Sequence, residues 1–387
     1  MQTIEAEYRI VTPMFIGGGD KSDNPELRPP SIKGALRFWW RALQWGACLE
    51  KSVSHESALK ELHRQEAELF GAAAKEDNGG GQGQVSLKLK TTLLKNNPKI
   101  PKPSSGQSYL LGQGLYHFRN GFLSTAIAPN QTFKIILRLH NDVDAENIIN
   151  TLLIFGLLGG LGSRSRKGWG SVAIRSITHK DKAQQVKSLA IPDDEESYKQ
   201  CITKLLNALP DCLPPFSAFS RQTRIEVSAT SDKAEQLLTK IGDEMQLYRS
   251  YGQKVGAEHK VNGKTAEQNF KVDHDLVLAF VDGTKIQQHP KRVVFGLPHN
   301  YFYSNGTKVD VDAEKLSRRA SPLIIHIHQF SSGQCMAVQC LLKAHFLPER
   351  ERIQLKKGNK TQAIACDIDW NVITDYLERF AQRERIV

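Results

Sequence analysis

The sequence predicts an α+β chain made of two copies of one strand-and-helix module in tandem, the second copy degenerate. Three observations predict it. The length of 387 residues accommodates two domains of roughly 150–200 residues each. Hydrophobic residues make up 40% and charged residues 24%, so each half can bury a core. In the first half the apolar periodicity runs strand, helix, strand, strand, helix, strand, and the pattern starts over near residue 224.

Residues 4–11 alternate as a short strand that stops at Thr12-Pro13, and a glycine-rich loop follows over 15–30. Ser31 is the expected N-cap of a helix over 32–45, closed by Gly46, and a second helical stretch covers 56–70. Residues 72–84 and 96–107 are polar, irregular connections rich in turn formers. Between them VSLKLK, 85–90, alternates as a half-buried strand, and FKIILRLH, 133–140, is the next. A helix is expected over 145–158, a glycine-rich loop over 159–170 and a strand over 171–177. This is the β-α-β-β-α-β ferredoxin-like (RRM-like) pattern with insertions, and it sets a first domain at 1–180.

Residues 181–215, with their acidic PDDEES and the run ALPDCLPPF, read as a connecting segment. The second domain, 216–387, opens with a strand at 224–229 and a helix over 232–251, then a polar stretch at 252–269 expected to be mobile. Residues 321–330 and 335–346 read as a strand pair around Ser331-Ser332-Gly333, and a last helix covers 369–384. No fourth strand is apparent, which is what makes this copy degenerate.

The formal net charge is +11, from 52 basic and 41 acidic residues, and a chain so charged favours a polyanionic partner. A soluble enzyme can be equally basic, so charge alone does not decide. The six cysteines are scattered without a CxxC pair, which fits free thiols in a reducing compartment. The opening MQTIEAEYRIVTP carries no basic-then-apolar signal pattern, and no apolar run reaches the roughly 18–20 residues of a membrane span. A cytoplasmic, soluble chain with no membrane partner and no cofactor is the expectation.

The helix over 32–45 is the most informative segment. At 100° per residue Ile32, Leu36, Trp39 and Leu43 fall on a core face, while Lys33, Arg37 and Arg41 recur every four residues opposite them. No acidic residue stands at i±4 to relieve these cations, so an external polyanion is expected to, with Trp40 or Trp45 at the border stacking a base. The alternative is a solvated basic face with both tryptophans in the core. The loop GGLGSRSRKGWG, 159–170, adds Arg164, Arg166, Lys167 and Trp169 to a backbone whose exposed N–H groups form anion-binding nests. It is neither a Walker A loop nor a dinucleotide fingerprint, because it follows a helix and precedes a strand. The alternative is a flexible surface loop. Arg318 and Arg319 in SRRASPL, with FGLPHN upstream, are a weaker third phosphate clamp.

Other chemistries are outweighed by plainer readings. His326, His328, Cys335, Cys340 and His345 contain zinc-binding atoms, but the C-x4-C spacing is loose and no metal site is expected. Asp273-His274-Asp275 reads as a helix cap. His299 could serve as a general base for attack by a ribose 2′-hydroxyl, yet no partner acid can be assigned. Asp20 and Asp23 read as a polar turn. No catalytic residue is assigned.

The runs VTPMFIGGGD and ELRPPSIKGALRFWWRAL resemble the N-terminal signature of the first Cmr subunit of type III-B CRISPR effector complexes, within the RAMP (repeat-associated mysterious protein) superfamily. GGLGSRSRKGWG is similar to that superfamily's glycine-rich loop, and GLPHN with RRASPL is similar to the subunit's C-terminal portion. The resemblance spans residues 9–43, 159–170 and 295–323 and leaves the inserts at 72–84 and 252–269 unmatched. It implies two ferredoxin-like domains, no nuclease activity, and an antiviral ribonucleoprotein in which the chain meets the guide RNA 3′ region, target single-stranded RNA and other Cmr subunits. The rival reading is a metal-independent RAMP endoribonuclease that processes guide precursors. Such enzymes use a histidine near the N-terminal domain, and here His55 and His63 do not neighbour the glycine-rich loop in sequence.

Overall fold

The architecture comes from a computed structural model, which describes residues 1–17, 24–72, 81–91, 95–97, 100–112 and 114–387. Asp20 and Asp23, and most of the insert at 72–84, lie outside the described residues.

Helix α1 is longer than its apolar pattern predicts, running Pro29–Glu50. Pro29 and Pro30 suit its first turn, where a missing N–H is no loss, so the helix starts before Ser31. It also continues through Gly46, where the absent Cβ makes room for Pro210, whose Cδ would lie 3.1 Å from it. Helix α2, His55–Phe70, is capped reciprocally by Ser54 and Ser57 and packs against α1.

The first sheet has the order Val85–Thr91, Thr132–Leu139, Gln2–Ile10, Val172–Lys180, Val186–Leu189, with every neighbour antiparallel. Its first four strands sit in the order 2-3-1-4 by sequence, and two helices, α1 and α4 (Ala145–Leu158), join them across the sheet. A short helix α3, Ser105–Leu111, lies in the insertion ahead of the third strand. The segment read as a mere connection is structured: Val186–Leu189 extends the sheet, and α5, Glu195–Leu205, buries Tyr198 and Ile202 in the core it shares with α4.

The second sheet repeats the order 2-3-1-4, with strands Leu323–Gln329, Cys335–Leu341, Arg224–Ser231 and Glu384–Arg385. The last is the fourth strand that sequence reasoning does not find. It is two residues long, too short to leave an alternation, and the terminal helix α8 is correspondingly shorter than predicted, Asn371–Leu377. Helix α6, Ala234–Arg249, covers this sheet.

Two features depart from expectation. The stretch at 252–269, expected to be mobile and given no strand, forms a small antiparallel sheet of Gln253–Val255, Glu258–Val261 and Lys264–Thr265. A further sheet, Tyr301–Phe302, Lys308–Ala313, Arg352–Lys357 and Lys360–Ala365, builds a separate apolar cluster with helix α7, Lys271–Val281.

Helix α4 joins the two halves. Nearly every residue from Ile148 to Leu158 is buried, because the helix packs on the first sheet, on α1 and on strand Leu323–Gln329 of the second. A helix apolar on all sides is one enclosed on all sides. Beyond its end His326 meets the carbonyl of Gly159 through Nδ1 at 2.9 Å, and His328 packs on the Tyr198 ring at 4.8 Å. Both histidines are buried and are held below their usual range, chiefly by burial, His326 at about 3.

Candidate nucleic-acid interface

The three basic segments found in the sequence meet at one cleft. A cavity of about 500 Å³ is lined by Arg41 from α1, Arg166 from the glycine-rich loop and Arg319 from the C-terminal half, with His63 and Glu66 of α2 and the Phe38 ring. Each cation is placed by its own local rule. Arg41 sits on the polar side of α1, two turns after Lys33 and one after Arg37. Arg166 stacks over Phe38 at 4.8 Å while its Nη1 donates to the Ser321 carbonyl at 2.7 Å. Arg319 is fixed by an isolated antiparallel bridge to Leu297, which also joins FGLPHN to SRRASPL, and its guanidinium lies 5.6 Å from the Phe346 ring.

The cleft carries three guanidinium groups and one carboxylate, that of Glu66. Burial, and next the charge of Arg319, bring Arg166 down to about 10, and burial lowers Arg319 as well. At about 10, Arg166 remains cationic at neutral pH. The Arg319 Nε and Nη2 atoms and the Ser217 hydroxyl are buried beside the cleft with no hydrogen-bond partner. Unpaired buried donors are costly, and the Arg319 guanidinium would have to turn into the cleft to give them to a phosphate oxygen.

Three expectations are corrected, and one residue is added to the cleft. The basic stripe does have an internal carboxylate: Glu66, 3% exposed, accepts from Arg37 Nε at 2.6 Å and pairs with Arg41 as well. It comes from α2, so the i±4 rule within α1 misses it. Trp40 is 2% exposed and packs edge-on to Phe70, Trp45 is fully buried, and Trp169 is buried against Phe15. None of these three rings presents a face to a base. The loop 159–170 is also no open nest. Its Leu161, Ser163 and Gly170 N–H groups donate to the carbonyls of Gly170, Phe15 and Pro13, and Lys167 N–H donates to Arg164. Glycine is required at Gly170 (φ 66°), where a Cβ would meet the Leu161 oxygen at 2.0 Å. Finally His63, remote from the loop in sequence, lines the same cleft as Arg166.

The remaining predicted residues spread out. Lys33 and Arg37 are half-buried along α1 outside the cleft lining, and Arg318 is exposed beside it. Arg164 and Lys167 face the opposite side of the loop, toward α3 and α6. Asp273 does cap a helix start, but another one: its carboxylate accepts from the N–H groups of Lys291 and Arg292, at the 3-10 turn Lys291–Phe295. His299 is driven well below its usual range by burial and then by Arg292 and Arg249. Among the described residues no group of three histidine, cysteine or acidic side chains is placed to hold a metal, and no helix is long and apolar enough to cross a membrane.

Residues 7–173 match the family model of the RAMP superfamily. A stretch of 158 residues is 29% identical to the CRISPR system Cmr subunit Cmr1-1 of Pyrococcus furiosus, covering 39% of this chain and 41% of that protein. The match therefore spans about two fifths of that relative's length. The fold is similar over its whole extent to the crystal structure of Cmr1 from Pyrococcus furiosus in its apo form, with a TM-score of 0.59 and 15% identity over 100% of this chain and 99% of that one. A chain of the cryo-EM structure of the type III-B Cmr-beta complex bound to cognate target RNA is also similar, with a TM-score of 0.55 and 12% identity over 98% of each chain. At such identities the structural likeness speaks for the fold. The mixed α/β architecture with antiparallel sheets is similar to that of Cmr1.

Proposed function

We propose, from the RAMP match at 7–173 and the Cmr1-like fold, that this chain is a non-catalytic RNA-binding subunit of a type III-B CRISPR (Cmr) effector complex. Its partners are guide RNA, target single-stranded RNA and other Cmr subunits, and its place is the cytoplasm. The matching 2-3-1-4 strand orders support two ferredoxin-like domains, 1–180 and 216–387, with the second reduced to a two-residue fourth strand. The observation that carries the reading is the convergence of Arg41, Arg166 and Arg319, from three distant segments, on one cleft with unsatisfied donors. Three fixed cations spaced around a groove suit the phosphates of a single strand, whose backbone contacts dominate affinity.

The test is to tag the chain in its host, purify it gently and sequence the RNA that accompanies it. Short RNAs with repeat-derived 5′ ends and many different spacers, together with other Cmr proteins, are expected. Mixed cellular RNA without those partners would contradict the assignment.

One observation favours a second reading, a metal-independent endoribonuclease of guide precursors: His63 shares the cleft with the three arginines. That arrangement could pair a base with cations that stabilise a phosphorane-like state. If so, the purified chain cuts repeat RNA in EDTA and His63→Ala abolishes the cut. The first reading expects binding without cleavage.

A further inference from the structure

The glycine-rich loop sends its cations to two sides, and only Arg166 serves the cleft. On the other side the Arg164 guanidinium lies against the end of α3: a Cβ at Gly112 would stand 2.9 Å from its Nη2. Lys167 Nζ approaches Met245 Sδ at 3.8 Å. Arg249, at the end of α6, lies 4.3 Å over Phe295 and 5.9 Å from the Tyr109 ring, with its Nε buried and unbonded. Among the described residues no carboxylate acts on Arg164 or Lys167, and the charges bearing on Lys167 are Arg249, Arg164 and Arg166. Arg164 is exposed while Lys167 and Arg249 are half-buried behind it, and like charges with no acid between them favour the approach of an anion.

Beside this cluster opens a second cavity of about 810 Å³, within the size range of ligand sites. Its walls include Lys102, Tyr109, Gly112, Tyr116, His117 and Phe118. The Phe118 ring is 75% exposed, and Arg119 sits 5.1 Å from its centre. Tyr116 is anchored by its edge against Phe122, which stacks in turn on Phe15 of the core, so this wall is tied to the fold. Cations that hold a backbone next to rings that hold bases are the two parts of a single-strand site.

We propose that this second cavity takes one unpaired nucleotide of a single-stranded RNA, its base on the Phe118 and Tyr109 rings and its phosphate between Lys102 of the lining and Arg164 beside Gly112, with Lys167 and Arg249 adding positive charge from behind the wall. The inference rests on the RNA-binding reading above and deepens it, because the Arg41–Arg166–Arg319 cleft and this pocket lie on the two sides of one loop. A strand lying along both would cross residues 163–167.

The test uses the 387-residue chain and short single-stranded RNAs carrying the fluorescent base 2-aminopurine at successive positions. At one position fluorescence should fall on binding. Phe118→Ala, at an exposed site, should leave the melting temperature unchanged, remove that fall and weaken binding about fivefold or more. Arg164→Gln should weaken binding and lower the slope of log K against log salt by about 0.7. Unchanged fluorescence and affinity in both variants, with Arg319→Gln still weakening binding, would overturn the pocket and leave the RNA-binding reading standing. A chain that binds no RNA at any salt concentration would overturn both.

Discussion

The Arg166 guanidinium donates to the carbonyl oxygen of Ser321 at 2.7 Å, a bond that ties the glycine-rich loop of the first half to the entry of a second-half strand. The same side chain faces the cleft over Phe38. Arg166 is therefore both a fastener and a candidate phosphate contact. Replacing it by lysine keeps the charge but loses the planar fork and the stacking. Arg166→Lys should weaken RNA binding about fivefold or more and lower the unfolding free energy by about 1–2 kcal/mol. Titration with single-stranded RNA and urea melts measure the two effects separately.

Glu66 holds Arg37 and Arg41, so under the proposed function it competes with RNA for both. A phosphate entering the cleft meets this carboxylate as a like charge, so Glu66→Gln should tighten RNA binding by on the order of 1 kcal/mol at low salt, about fivefold. It should also destabilise the chain slightly, since α1 and α2 lose an ionic link. Weaker binding in Glu66→Gln would show that the carboxylate positions the arginines for RNA and does not oppose it.

The tryptophans of α1 act on stability. Trp40→Ala removes a buried ring that packs on Phe70 and should cost about 3–5 kcal/mol. Trp40→Phe keeps most of the packing and should leave RNA affinity within about twofold of the parent, because the ring has no face open to a base. Binding assays on the folded Trp40→Phe variant decide this.

How much of this could be read in advance differs by level. The α4 boundaries at 145–158 and the first four strands are legible because long apolar runs carry their own period. The strand Glu384–Arg385 is invisible because two residues carry none. Arg41, Arg166 and Arg319 are each legible as local basic signals, but their meeting depends on a Leu297–Arg319 bridge and a loop closed around Gly170. The misreadings of α1 share a source: Glu66 and His63 enter from α2, and the burial of Trp40 depends on Phe70, so contacts between elements decided what periodicity within one helix could not.

The interface between the halves should be acid-sensitive. His326 and His328 are buried and neutral, with folded values below the unfolded 6.5, so the unfolded chain binds more protons as pH falls. Their penalty is absent above about pH 7 and grows below 6.5, continuing for His326 down to about pH 3, by on the order of 1.4 kcal/mol per unit for each histidine. Arg175 and the His326 ring bear on His328 in the same sense. Melting temperatures between pH 7.5 and 5 should fall, and fall less in His328→Gln.

The most direct test of the account is the salt dependence of single-stranded RNA binding in the parent chain and in an Arg41→Gln, Arg166→Gln, Arg319→Gln triple variant. If the three arginines hold successive phosphates, the slope of log K against log salt should shrink by about 2 and affinity at low salt should collapse. An unchanged slope in a triple variant that remains folded would mean that RNA does not enter this cleft.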